Sequence, residues 1–142
     1  MKKLILSFFV LTSGCATTYS PQNINENSPF LRMHGDHKYN HAHGYSVLQS
    51  ECDFDSEQQI GLVGGALLDP KEKIVQLKEN KRLIILVKSY ATYTSETHVT
   101  SYAFEFTPEA NKRYDIVGIK LVNSESQLVP SDLKFLPINH CK

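Results

Sequence analysis

Residues 83–87, which read LIILV, constrain the fold of this chain more than any other segment. They are apolar at every position, and the β-branched and aromatic residues that follow as far as Tyr93 favour a strand over a buried helix. A strand that is apolar on both faces must be covered on both faces. We therefore predict a central, buried strand over residues 82–93.

Shorter stretches of strand character flank this run and are separated by turn signals such as Gly64-Gly65. Along residues 97–107, Tyr102, Phe104 and Phe106 alternate with smaller or polar residues, which is the period of a strand with one buried face. The remaining predicted strands cover residues 45–50, 59–63, 73–77 and 114–122, with a last extended piece through Phe135 and a bulge at Gly118. About seven short strands predict a mainly β domain over residues 45–142, a small antiparallel β-sandwich, with a small barrel as the alternative.

The amino terminus has the pattern of an export signal. Two lysines precede a short apolar run over residues 4–11, and small residues follow. The run is far shorter than the roughly 20 apolar residues that a spanning helix needs. Residues 1–14 are therefore interpreted as a signal peptide.

Ser13, Gly14 and Cys15 close this signal. Their order resembles the lipobox of bacterial lipoproteins, which implies that the chain is cut before Cys15 and that the Cys15 thiol carries lipid such as palmitate. Ala16 in the next position implies delivery to the outer membrane, with the domain facing the periplasm or the surface. The alternative is an ordinary signal peptide with a chance cysteine.

Residues 15–44 are polar and rich in Asn, Ser and Pro, a composition typical of a flexible tether. Phe30, Leu31 and Met33 are apolar exceptions, and docking of these side chains on the domain would shorten the tether.

Four histidines lie close together in this segment, and they are His34, His37, His41 and His43. Imidazole nitrogens bind zinc or copper, so the cluster is a candidate metal site. The alternative is a solvated segment that becomes positively charged at acidic pH. No other cofactor is expected.

Cys52 and Cys141 are the two cysteines that remain after Cys15. Because exported proteins meet oxidising conditions, the two are predicted to form a disulfide that encloses most of the domain. The alternative is a pair of free buried thiols.

Charge and motifs narrow the function. The 15 basic and 15 acidic residues balance, and removal of Lys2 and Lys3 would leave a slight acidic surplus. Such a chain lacks the basic excess that nucleic acid requires. The sequence has no Gly-x-Ser-x-Gly elbow, so an enzyme is not expected. Tyr90, Tyr93 and Tyr102 are a candidate aromatic patch for a partner, although Tyr102 is expected in the core.

Several segments resemble a broad set of small bacterial outer-membrane lipoproteins of unknown function. The similar pieces are residues 60–65, 74–77, 83–87, 104–106 and 108–114. Asn80 and Asn111 occupy positions where that group has glycine, and Asn is the residue that best replaces glycine where φ is positive. The resemblance implies a transthyretin-like or immunoglobulin-like sandwich and carries no active site.

The leading hypothesis is a non-enzymatic envelope lipoprotein, attached to the membrane through its lipid, whose β-sandwich binds an envelope protein or supports an envelope complex. One alternative is a metal-binding lipoprotein that uses the histidines between His34 and His43. Another is an inhibitor or immunity-type lipoprotein directed against a toxin or a wall-active enzyme.

Overall fold

The computed structural model describes residues 17–36, 40–65 and 70–141. The predicted signal peptide, Cys15 and His37 lie outside these residues. Within the described ranges, no helix is both long enough and apolar enough to cross a membrane.

The described chain forms ten strands in two sheets, which is more than the roughly seven that the turn signals predicted. The first sheet contains β1 (Thr17–Thr18), β3 (His41–Leu48), β4 (Gln58–Gly64), β6 (Leu83–Tyr93), β7 (Glu96–Phe106) and β10 (Lys134–Leu136). The second contains β2 (Phe30–His34), β5 (Glu72–Gln76), β8 (Arg113–Val117) and β9 (Lys120–Asn123). The strand orders are β1-β4-β3-β6-β7-β10 and β5-β2-β8-β9. The predicted mainly β sandwich is confirmed.

The two sheets bury a common core between them. Its fully buried side chains come from both sheets and include Leu31, Tyr45, Ile85, Phe104 and Ile116. These residues lie on alternate positions of their strands, so each sheet turns one apolar face inward.

A smaller cluster covers the opposite face of the six-stranded sheet. It joins Ile84 and Leu86 of β6 to Ala103 of β7 and to Leu136 of β10, and Ile138 packs against it. Strand β6 is thereby buried on both faces, as its unbroken apolar run predicted.

Parts of the predicted tether over residues 15–44 belong to the sandwich instead, namely β1, β2 and the start of β3. Leu31 and Met33 are fully buried, and β2 is an internal strand between β5 and β8. Residues 41–44 likewise belong to β3. The five residues of β2 predict a strand only weakly by themselves. They form one because β5 and β8 pair with them on both sides.

Two of the pairings are parallel, although the sequence predicted an antiparallel fold. Strand β2 runs parallel to β8, and β1 runs parallel to β4. Both involve segments that precede Tyr45, which were assigned to the tether. The other described pairings are antiparallel.

Turns account for the remaining differences. Asn80 and Asn111 have φ of 52° and 60°, which agrees with their place at glycine-type turn positions. Gly118, with φ of 56°, is not a bulge. It begins the two-residue turn between β8 and β9, where a positive φ matches the twist of a hairpin, and it divides the strand predicted over 114–122 into two.

The predicted disulfide is present. Cys52 and Cys141 are bonded, with their Cα atoms 5.2 Å apart and a sequence separation of 89. The bond fastens the turn that follows β3 to the segment that follows β10. It thereby holds the carboxyl-terminal segment against the outer face of the larger sheet.

Candidate functional site

His34 lies on the outer face of the smaller sheet, because Leu31 and Met33 of the same strand point into the core. Its Nε2 is 3.0 Å from Asp115 Oδ1, and its Nδ1 is 3.6 Å from Glu72 Oε2. The side chain is therefore held by carboxylates on both neighbouring strands.

His41 and His43 lie on β3, on the same face as Tyr45, which points into the core. His43 is buried, its Nδ1 lies 2.9 Å from Ser89 Oγ, and its burial lowers the pKa of the imidazole. His41 Nδ1 is 3.6 Å from Asp36 Oδ2. Each histidine thus has a partner of its own.

The described residues do not bring His34, His41 and His43 together as metal ligands. Within those ranges, the His, Cys, Asp and Glu side chains whose donor atoms lie close enough together to hold an ion are elsewhere, at Cys52, His140 and Cys141. The fourth histidine of the predicted site, His37, lies outside the described ranges.

A charged cleft of about 930 Å³ opens beside His34. Asp36, Lys71, Glu72 and Asp115 contribute to its walls. At the margin of the cleft, Arg32 Nε donates a hydrogen bond to Asp115 Oδ1 over 2.6 Å, so these two charges neutralise each other. That hydrogen bond holds the pKa of Asp115 well below its ordinary range. The network joins β2 to its two neighbouring strands, β5 and β8, through charged side chains.

A second groove, of about 600 Å³, lies on the outer face of the larger sheet. Glu57 occupies it and accepts hydrogen bonds from Ser46 Oγ at 2.7 Å and from Lys88 Nζ at 2.7 and 2.9 Å. The carboxylate is again satisfied from within the chain.

The distal half of the β6–β7 hairpin is different, because it presents unpaired backbone. Strand β10 pairs with β7 at Ala103, Phe104 and Glu105. Among the described residues, no strand pairs with the outer side of β7 over residues 96–102. Alternate residues of that stretch therefore have N–H and C=O groups without a strand partner among the described residues. We call this stretch the open edge of β7.

Every side chain of the open edge is exposed. Val99 is 54% exposed and Tyr102 is 38% exposed, so the prediction that Tyr102 belongs to the core is wrong. Tyr102 has the same orientation as Phe104 but lies two residues earlier in β7, in the exposed half of the hairpin. Tyr90 pairs with Val99, whereas Tyr102 pairs with Val87. The three candidate tyrosines are therefore divided between two faces of the sheet.

Tyr93 stands at the end of the hairpin between two histidines. Its ring centroid is 6.4 Å from that of His41 and 6.0 Å from that of His98. The three rings extend the face that carries Tyr102, and Tyr93 and His98 remain largely exposed. An aromatic surface thus adjoins the open edge.

The open edge lacks the features that usually protect an edge strand. Its sequence, ETHVTSY, has no lysine or proline, and its pairing with β6 continues without a bulge. Natural edge strands are commonly blocked by such features. The alternation of residues 97–107 predicted the strand, but not which half of it would remain without a neighbour.

Comparisons with protein-family models, with curated proteins and with solved structures find no match for this chain. Any function is therefore inferred from its own residues and contacts.

Proposed function

We propose that this chain is a non-enzymatic lipoprotein of the bacterial outer membrane that binds an extended segment of an envelope protein along the open edge of β7. The observation that carries the proposal is the stretch of exposed, unpaired strand from Glu96 to Tyr102.

Backbone geometry supports strand addition as the binding mode. A partner segment that pairs with an exposed edge gains a row of main-chain hydrogen bonds without disturbing the sheet. The other edges are shorter or more charged. The strands β1 and β10 have two and three residues, and β5 begins with Glu72 and Lys73.

The side chains beside the edge indicate what kind of segment fits. Thr97, Val99 and Ser101 lie on one face, and His98, Thr100 and Tyr102 lie on the other. Directly opposed aromatic and β-branched side chains stabilise neighbouring strands. We therefore expect the partner segment to be extended, rich in β-branched and aromatic residues, and poor in charge.

The lipid anchor rests on the sequence of residues 1–15. Strand β1 begins at Thr17, and Tyr19 packs against the main core. A lipid on Cys15 would hold the sandwich within about 10 Å of the headgroups, since two residues span at most about 7 Å. Mass spectrometry of the mature protein should show an acylated Cys15 as its first residue, and an intact Met1 would contradict the anchor.

Site-specific crosslinking in intact envelopes tests the partner. A photoreactive amino acid at Val99 should yield a protein adduct, and the same group at Val117 should not. Val117 is a suitable control because it is 45% exposed but lies on β8 in the smaller sheet.

A charged side chain placed on the open edge of β7 gives a second test of partner binding. Val99→Lys should abolish the adduct formed from a photoreactive group at Thr97, while Val117→Lys leaves it unchanged. Equal adducts from Val99 and Val117, or an unchanged adduct in Val99→Lys, would contradict the proposal. The identity of the captured protein distinguishes an envelope-complex component from a toxin or wall-active enzyme that the chain inhibits.

A further inference from the structure

Two metal-ligating side chains flank the disulfide. His140 Nε2 lies 3.9 Å from Cys52 Sγ, and Glu51 Oε1 lies 3.8 Å from His140 Nε2. The donor atoms of Cys52, His140 and Cys141 are all within 4.8 Å of one another. Sulfur and imidazole nitrogen donors therefore converge on one place at the surface, and the Glu51 carboxylate lies beside His140.

The spacing is close to that of a tetrahedral zinc site. With Zn–S bonds of about 2.3 Å and Zn–N bonds of about 2.0–2.1 Å, neighbouring donor atoms are separated by about 3.5–3.8 Å. The distance between Cys52 Sγ and His140 Nε2 is 3.9 Å, slightly longer than this range. The two sulfurs, which are bonded to each other, must separate.

We propose that reduction of the Cys52–Cys141 disulfide creates a zinc site whose ligands are Cys52, Cys141 and His140, with Glu51 as the fourth. A dithiol or phosphine reductant supplies two electrons. The S–S bond breaks, two protons are taken up, and two thiols form. Zn²⁺ then binds both sulfurs as thiolates, and the two protons are released.

Local structure favours this exchange. His140 ends the 3₁₀ turn Ile138–His140 and directly precedes Cys141, while Glu51 directly precedes Cys52. Each side of the site thus contributes one cysteine and one adjacent ligand. His140 and Glu51 are exposed enough for an ion to enter. The metal would replace the covalent link and keep the carboxyl-terminal segment fastened to the turn after β3.

Metal titration of the protein reduced with a phosphine tests the site. Cd²⁺ should bind in a ratio of one ion per chain, with an ultraviolet thiolate-to-metal charge-transfer band that Zn²⁺ abolishes by competition. The Cys52→Ser/Cys141→Ser protein and the oxidised protein should show no such band. His140→Ala should weaken binding about tenfold or more, whereas His98→Ala, which removes an exposed histidine elsewhere, should leave it unchanged.

Thermal melting gives a second readout, which applies even if the reduced chain is poorly folded. Zn²⁺ should raise the Tm of the reduced wild-type protein, or restore a cooperative transition that reduction has removed, and it should not change the Tm of the oxidised protein. The proposal is overturned if Zn²⁺ leaves the melting of the reduced protein unchanged. It is equally overturned if His140→Ala binds Cd²⁺ as tightly as the wild type.

Discussion

Arg32 Nε donates a hydrogen bond to Asp115 Oδ1 over 2.6 Å and joins two residues that are 83 positions apart in sequence. The two residues are direct partners in the parallel pairing of β2 with β8. His34 Nε2 approaches the same oxygen to 3.0 Å. One carboxylate on β8 therefore fastens β2 to the smaller sheet at two points.

This contact gives the stability of the protein a specific dependence on pH. The hydrogen bond from Arg32 holds the pKa of Asp115 below its ordinary value of 3.8, so the unfolded state takes up a proton more readily than the folded state. The carboxylate thus contributes stability that is fully present above about pH 4 and is lost as the pH falls further. Asp115→Asn should be less stable than the wild type at pH 7.

The difference in Tm between the wild type and Asp115→Asn should shrink as the pH is lowered from 4 to 2. Melting curves recorded across that range at constant ionic strength measure it. A difference that stays constant down to pH 2 would show that the carboxylate charge contributes nothing.

Substitution of Leu31 tests whether β2 is a packed strand of the sandwich or part of a flexible tether. The side chain is fully buried in the main core, so Leu31→Ala should reduce the free energy of unfolding by about 2–5 kcal/mol. Ile24→Ala is a matched control, because Ile24 is 40% exposed in the same amino-terminal segment, and it should cost less than about 0.5 kcal/mol. Urea denaturation measures both, and equal effects would contradict the burial of β2.

The contrast between β6 and β2 explains how much of the fold could be predicted. The sequence of residues 83–87 is sufficient to predict a buried strand, since five consecutive apolar positions require cover on both faces. In β2, Arg32 and His34 alternate with Leu31 and Met33, and a polar, Pro-containing stretch precedes them. That short pattern becomes informative only once β5 and β8 supply partners on both sides.

The candidate site was predictable to different degrees. The pairing of Cys52 with Cys141 was predicted from the number of cysteines and from the export signal that the sequence suggests. The open edge of β7 depends on where β10 stops pairing, and no local pattern around Val99 encodes that. The histidines of the candidate metal site are close in sequence, but closeness in sequence does not ensure closeness in space. His34 and His43 belong to strands of different sheets.

Asn111 tests whether a positive φ is needed at a turn. Its φ is 60°, and its N–H donates to the carbonyl oxygen of Asn27 over 2.7 Å. Asn111→Ala should lower the free energy of unfolding by about 1–2 kcal/mol, because Cβ disfavours this region and alanine lacks the side-chain compensation of asparagine. Asn111→Gly should stay within about 0.5 kcal/mol of the wild type.

Chemical denaturation of both Asn111 variants provides the measurement, and the same two substitutions at Asn80, where φ is 52°, repeat it at a second turn. Glycine and alanine variants of equal stability would contradict a left-handed conformation at these positions.

The disulfide should stabilise the whole domain and its last strand most of all. For a closed loop of 89 residues, the chain-entropy model predicts that Cys52→Ser/Cys141→Ser lowers the free energy of unfolding by about 4–5 kcal/mol. The last strand has only a short attachment to the larger sheet, since β10 pairs only through Lys134, Phe135 and Leu136. Without the covalent link, this strand should open before the centre of the sheet does.

Hydrogen exchange in the presence of a chelator, which excludes any contribution from metal, separates the two effects. In the double variant, amides of Lys134–Leu136 should exchange much faster than those of Leu83–Tyr93. Uniform acceleration across both strands would mean that the bond acts on the unfolded state alone. Unchanged protection of β10 would mean that Leu136 and Ile138, which pack against Leu48, Ile84 and Leu86, hold the segment without covalent help.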